Sequence, residues 1–267
     1  MFFLFLSETY PNVILEKKAK TLRQQTGNKL LQSRLADQNS PRHILRHAII
    51  RPLKLLVLSP IVLGLSTFQG ICFGCLYLLF TTFSLVYTEQ YHWSIGSDGL
   101  SFLGMGIGMC VSLALFGAIS DPILKRRAGK GELKPEYRLI LMFPATLFIA
   151  AGLFWYGWSV QAKDFWIVPI LGTSLIGFGY IPVILGIQTY LVDAYEVYAA
   201  SAMAASTILR SLMGALIPLA GESMYAKMGY GWGNSLLGFI TMLMFPLPFI
   251  FYQYGERIRS HFELDLR

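Results

Sequence analysis

Charge is scarce in this chain. Asp, Glu, Lys and Arg make up 14% of its 267 residues, against about 25% in ordinary soluble domains. Cysteine is rarer still. Cys72, Cys75 and Cys110 are the only three, and they suggest no disulfide framework or metal cluster. The pair Cys72-Phe-Gly-Cys75 has redox spacing, yet it lies inside an apolar run and lacks the soluble βαβ setting that such chemistry needs. It reads as two packing residues. The four histidines all fall outside the long apolar runs, and no pair of carboxylates falls inside one. This argues against an intramembrane protease or a metal enzyme, and no cofactor is expected. Ten-residue alternating stretches are also missing, which argues against a β-barrel.

What the chain has in plenty is apolar surface. Hydrophobic residues reach 54% and the mean hydropathy is +0.52. These residues come in blocks too long for core helices. A helix needs about 20 mainly apolar residues to cross a hydrocarbon layer of about 30 Å. Six such runs follow residue 58, near 60–87, 99–120, 138–159, 166–191, 197–220 and 234–254. In lipid every backbone polar group must be paired internally, and a helix achieves this within one segment. The expectation is an all-α integral membrane protein with six transmembrane helices in residues 55–255. Residues 1–54 form a cytosolic lead-in and 256–267 a cytosolic tail.

The net charge is +7, and its placement gives the direction of the runs. Residues 1–54 hold ten Lys or Arg, residues 121–138 hold six, and the tail holds three. The connections near 88–98, 160–165 and 221–233 hold only Lys163 and Lys227. Basic residues accumulate on the cytoplasmic side, so both termini and the 121–138 loop are expected in the cytosol. An even number of crossings follows. Trp93, Trp155, Trp158, Trp166 and Trp232 all fall at the predicted outer ends, where aromatic residues anchor helices at the interface. The basic residues flank runs rather than line a soluble face, so no nucleic-acid partner is expected. The partner is a lipid bilayer, with the plasma membrane as the expected location.

The lead-in has its own pattern. Residues 11–30 read as a short basic helix closed by Gly27. Ser40-Pro41 then offers an N-cap and a first-turn proline. In RHILRHAII, Ile44, Leu45, Ala48 and Ile49 share one face and Arg42, Arg46 and His47 the other. Such a helix suits the inner leaflet or serves as an ordinary linker. His43 and His47 read as solvated surface residues.

Small residues and prolines punctuate the runs. Gly104, Gly106 and Gly108 cluster in the second, and Gly172, Gly177, Gly179 and Gly186 in the fourth. They let helices approach closely. Pro144, Pro169, Pro182, Pro218, Pro246 and Pro248 sit in or near runs, and each favours a kink.

One charge stands inside a run. Arg210 lies about thirteen residues into the fifth, roughly 20 Å along its axis. A charge near the bilayer centre costs at least about 2.5 kcal/mol, so something must compensate it. Ser206, Thr207 and Gly214 share its face, which is therefore polar or small and expected to point inward. No acidic residue lies at matching depth: Asp193 and Glu196 sit at cytosolic ends, Glu89 and Glu222 at outer ends. Two readings stay open, a structural role and direct contact with a substrate. Gln69, Tyr77, Tyr180 and Gln188 are the other polar groups in the runs, and together with Arg210 they are candidates for a cavity wall.

These residues resemble a known family. The chain is similar to the carboxyl-terminal half of a fungal-type major facilitator superfamily transporter of the drug:proton antiporter branch. The opening ETYPNVILEKKAKTLRQQTGN resembles the segment after the sixth helix, RPLKLLVLSPIVL the start of the seventh, and YLVDAYEVYAASAMAASTILRSLMGALIPLAGESMY the tenth-to-eleventh signature. That last stretch includes Arg210. The loop motif G-x-x-x-D-R-x-G-R-R is echoed by Gly117, Asp121, Lys125 and Arg126, and it departs at Pro122 and Leu124. The resemblance implies a cytosolic latch there, with Asp193 as a further candidate. It also implies one half of a twelve-helix fold that binds its substrate between two halves, and MFFLFLS as the last residues of a sixth helix. The implied activity is proton-coupled export of small, often cationic or amphipathic molecules. A missing amino-terminal half or a second copy of the chain are the implied partners. The alternatives are a truncated, inactive product and a six-span homodimer.

Overall fold

Ser59 and Pro60 begin the first long helix. The Ser59 hydroxyl accepts a hydrogen bond from the Val62 N–H, and Pro60 occupies a first-turn position where its missing N–H costs nothing. This is a computed structural model that describes residues 11–28, 31–32, 41–94, 96–129 and 134–261. The described residues form eight helices and three short 3-10 turns, with no strand among them. MFFLFLS, Ser40 and the tail after His261 lie outside the described residues, as do the side chains of the 41–48 stretch.

Contacts divide the chain into Met1–Ala48 and Ile49–Arg267. The first unit contains α1 (Pro11–Thr26), steadied by a 2.8 Å ion pair from Arg23 to Glu16. It stops at Gly27, whose φ of +67° suits a residue without a Cβ. Helix α2 runs Pro41–Leu58.

The second unit is built from α3 (Pro60–Glu89), α4 (Leu103–Ala128), α5 (Met142–Ala162), α6 (Ile167–Tyr195), α7 (Ala199–Leu243) and α8 (Pro246–His261). Helix α3 packs chiefly on α7, α5 on both α6 and α7, and α4 on α6. Phe68, Phe83, Tyr87, Tyr156 and Tyr190 fill the space between them and are fully buried. Four helical stretches among the described residues are long and apolar enough to cross a membrane: Pro60–Glu89, Asp98–Arg127, Pro135–Ala162 and Ile167–Ser260.

The last stretch covers 94 residues and is broken in three places. Glu196 has a φ of +31°. Gly229, inside α7, has φ +72° and ψ 173°, a region that only glycine enters readily. A turn at Met244–Phe245 precedes Pro246. The expected prolines behave unevenly. The helices continue through Pro182 and Pro218, whereas Pro246 opens a new helix in the middle of the 234–254 run.

Helices α4 and α6 meet through glycine. A Cβ on Gly104 would overlap the Ile170 carbonyl oxygen, one on Gly108 the Ser174 carbonyl, and one on Gly177 the Met105 carbonyl. With these side chains absent the two backbones lie in direct contact. Ser112 extends the seam by donating to the Phe178 carbonyl at 2.6 Å.

Polar and aromatic contacts gather at two ends of this unit. At one end Trp93 packs on Trp166 and Trp158 on Trp232. There Gln90 donates to the Val160 carbonyl at 2.7 Å, and Gln161 accepts from the Gly231 N–H at 3.3 Å. At the other end Arg138 pairs with Asp121 and Asp193, Lys134 with Glu256, and Ser59 with Tyr195.

Candidate functional site

Helix α3 places Gln69, Phe73 and Tyr77 four residues apart, on one face. Helix α7 does the same with Ser206, Arg210 and Gly214. The two faces meet in register. Ser206 donates to Oε1 of Gln69 at 2.7 Å. The Arg210 guanidinium lies 4.7 Å from the centre of the Phe73 ring. Gly214 leaves room for that ring, since a Cβ there would stand 2.7 Å from it.

Tyr77 stacks beside Phe73 with ring centres 4.4 Å apart, and Tyr180 of α6 approaches the other side at 6.4 Å. The Tyr180 hydroxyl interacts electrostatically with Arg210, yet neither that oxygen nor the Arg210 Nε completes a hydrogen bond. Gln69 is 1% exposed, Arg210 half-buried and Tyr77 43% exposed, so the cluster grades from sealed to open. A cation over an aromatic ring gains about 0.5–2 kcal/mol. That is below the cost of holding an arginine at mid-membrane depth, and Arg210 has no ion pair among the described residues.

Four of the five expected wall residues therefore converge: Gln69, Tyr77, Tyr180 and Arg210. Gln188 does not join them. It sits eight residues beyond Tyr180, half-exposed, without a hydrogen bond among the described residues. Phe73, absent from the expectation, is the hub. Its spacing of four from both Gln69 and Tyr77 was the available signal.

The opposite end holds a charged cluster. Arg138, in the 3-10 turn just before α5, donates from Nε to Asp193 Oδ2 at 3.0 Å and reaches Asp121 Oδ1 at 3.6 Å from Nη1. It thus ties α4 and the last turn of α6 to the turn that leads into α5. The expected cations Lys125 and Arg126 are exposed and form no ion pair among the described residues, and Gly117 faces open space. Nearby, Glu136 is 3% exposed, and neither of its oxygens has a hydrogen-bond partner. Arg259 of α8 stands 3.8 Å away. At the rim, hydrogen bonding to Glu256 holds the Lys134 ammonium above the ordinary lysine range. A separate cleft near the tryptophan end is lined by Thr81, Thr82, Pro218, Glu222, Tyr225 and Tyr230.

The Major Facilitator Superfamily signature matches residues 1–218. The chain belongs to the Major Facilitator Superfamily. Its similarity to named members is high. It is 50% identical over 258 residues to the MFS-type transporter atr4 of Stereocaulon alpinum, covering 97% of this chain and 47% of the relative. It is 49% identical to the MFS-type transporter tndD of Aspergillus flavipes, covering 98% of this chain and 50% of the relative. The MFS-type transporter penM of Penicillium rubens is 50% identical over 256 residues, with 96% and 50% covered. The chain spans about half the length of these curated relatives. No solved structure matches it. As a superfamily member with long apolar helices, it is an integral membrane protein.

Proposed function

We propose that the chain is the carboxyl-terminal, six-crossing half of a multidrug-type transporter that exports small molecules by alternating access, coupled to protons. Residues 1–54 and the tail lie in the cytosol in this reading, and the membrane is the plasma membrane. The carrying observation is the half-open cluster of Gln69, Phe73, Tyr77, Tyr180 and Arg210. It puts a cation with no ion pair among the described residues beside the half-buried Phe73 and the exposed Tyr77, with Tyr180 buried behind them.

The two-ended contact pattern supports six crossings. Helix α3 leaves the charged end at Ser59 and reaches the tryptophan end at Gln90. Helix α4 returns to Asp121, α5 runs from Arg138 to Gln161, and α6 from Trp166 to Asp193. The first part of α7 leads to Gly229, and the remainder with α8 returns to Arg259. The breaks at Glu196 and Gly229 fall at the ends of these passes. The coverage of about half of each relative supports a partner half, with substrate bound between the two.

Arg138 with Asp121 and Asp193 is the conformational latch in this reading, because it joins α4 and α6 to the turn before α5 and is partly open to water. Lys125, Arg126 and Gly117 flank it. The test is co-expression of this chain with the amino-terminal half of atr4, followed by solute flux in sealed vesicles under an imposed proton gradient. Gradient-dependent movement of an amphipathic dye that needs both halves is expected. No gradient-dependent flux for any of a broad dye panel, with both halves inserted, would falsify the reading.

A further inference from the structure

The substrate class is written in the charge balance around Arg210. The chain has 15 acidic residues, and among the described residues none lies inside a helix at its depth. Along the chain the nearest are Glu196, fourteen positions away in the turn before α7, and Glu222, twelve positions away or about 18 Å along α7 at 1.5 Å per residue. Phe73 faces the guanidinium, but a ring supplies no hydrogen-bond acceptor of carboxylate strength. Of the arginine's three nitrogens, Nε is buried without a partner. The terminal pair remains, in a fork that matches a carboxylate.

The surroundings set the shape of the ligand. Phe73 and Tyr77 line one side with rings, Tyr180 packs behind them, and Gln69 is already engaged by Ser206. An occupant would meet aromatic surface along its body and a single cation at its polar end. A cationic ligand would meet repulsion with no carboxylate to offset it.

We infer that this face binds a small organic anion, with an apolar or conjugated body against Phe73 and Tyr77 and its anionic oxygens on Arg210. The inference deepens the transport reading and rests on it for its role. It narrows the expected cargo from cationic or amphipathic molecules to amphipathic acids. A lipid headgroup would offer the same oxyanion chemistry, but Arg210 lies about 16 Å along α7 from Ala199, within the apolar stretch.

The test uses the full 267-residue chain in nanodiscs of zwitterionic lipid, with three probes of one shape: 2-naphthoate, 2-naphthalenemethanol and 2-naphthylmethylammonium. Calorimetry is expected to show naphthoate binding about tenfold more tightly than the alcohol, and the ammonium most weakly, as suits a charge-assisted contact. Arg210→Gln should abolish the naphthoate preference, so that naphthoate and the alcohol bind alike, and Arg210→Lys should keep part of it. Both variants are checked by size exclusion and melting temperature. Equal affinities for naphthoate and alcohol in the native chain, preference for the ammonium, or an Arg210→Gln protein that keeps the preference each overturn the inference. So does a preference that appears only when anionic lipid is added. Naphthoate binding through Arg210 without any flux would leave this inference standing and sink the transport reading. Flux with no anion preference does the reverse.

Discussion

Arg138 Nε donates to Asp193 Oδ2 at 3.0 Å, so the 3-10 turn just before α5 holds the last turn of α6. The same side chain reaches Asp121, two turns before the end of α4. Exposed ion pairs are worth about 0–1 kcal/mol, and the Asp193 side chain is 38% exposed. Arg138 serves two carboxylates and is itself only 22% exposed, so its loss is expected at the top of that range. Arg138→Gln should therefore destabilise the protein by about 1 kcal/mol. Lys125→Gln and Arg126→Gln should change stability by less than about 0.5 kcal/mol. Detergent-unfolding curves on the three variants check this. An Arg126→Gln loss as large as that of Arg138→Gln would show that the basic pair following Leu124 holds the carboxylates after all.

The α4–α6 seam predicts a sharp contrast between neighbouring glycines. Gly108→Ala drives a methyl into the Ser174 carbonyl of α6. Backbone cannot swing aside like a side chain, so the helices must separate, at a cost of about 1–3 kcal/mol or more. Gly106, two residues earlier, is exposed, and a methyl there would meet nothing within 4 Å. Gly106→Ala should be neutral or stabilising, by up to about 1 kcal/mol, from helix propensity alone. Equal losses in the two variants would mean that the backbones are not in contact at this crossing.

The apolar runs marked the helices in the sequence because membrane length and hydropathy are composition-level properties. The cavity candidates Gln69, Tyr77, Tyr180 and Arg210 were visible as polar groups inside apolar runs, where each is costly. Phe73 was not visible, because a phenylalanine in an apolar run carries no anomaly; only packing against Arg210 gives it a role. Arg138 was passed over for a related reason. The motif echo drew attention to Lys125 and Arg126, but helix α4 points those side chains to solvent, and Arg138 reaches the carboxylates from a distant part of the chain. Gly229 likewise looked like one glycine among 25.

Gly229 now carries a specific expectation. Its φ of +72° with ψ 173° excludes ordinary L-residues, and a Cβ there would stand 2.7 Å from Gln161 Oε1. Gly229→Ala combines backbone strain of about 1–3 kcal/mol with displacement of Gln161, which accepts from the Gly231 N–H. The melting temperature should fall clearly, and Gln161→Ala should recover part of the loss by removing the clash. If Gly229→Ala melts with the native chain, the break in α7 does not need this conformation.

The direction of each pass can be read by chemical labelling. Cys72 and Cys75 are buried, while Cys110 is exposed, so a Cys110→Ser background leaves two cysteines shielded by packing. Ser94→Cys, Asp164→Cys and Lys227→Cys then report on the tryptophan end, and Arg127→Cys and Val197→Cys on the charged end. All five positions are exposed on the protein surface. The sequence holds nineteen Lys or Arg in residues 1–54, 121–138 and the tail against two in the other connections, the asymmetry expected of a cytosolic side. An impermeant maleimide added to intact cells is therefore expected to label the first three and to reach the last two only after permeabilisation. The pattern is demanding because the three outer sites lie in separate connections. A shift in any one pass from crossing to not crossing would invert every site that follows it. Labelling of Ser94→Cys and Asp164→Cys from opposite sides would remove the paired crossings of α4 and α5. Labelling of Val197→Cys in intact cells would do the same for α6, and with it the placement of Arg210 at mid-membrane depth.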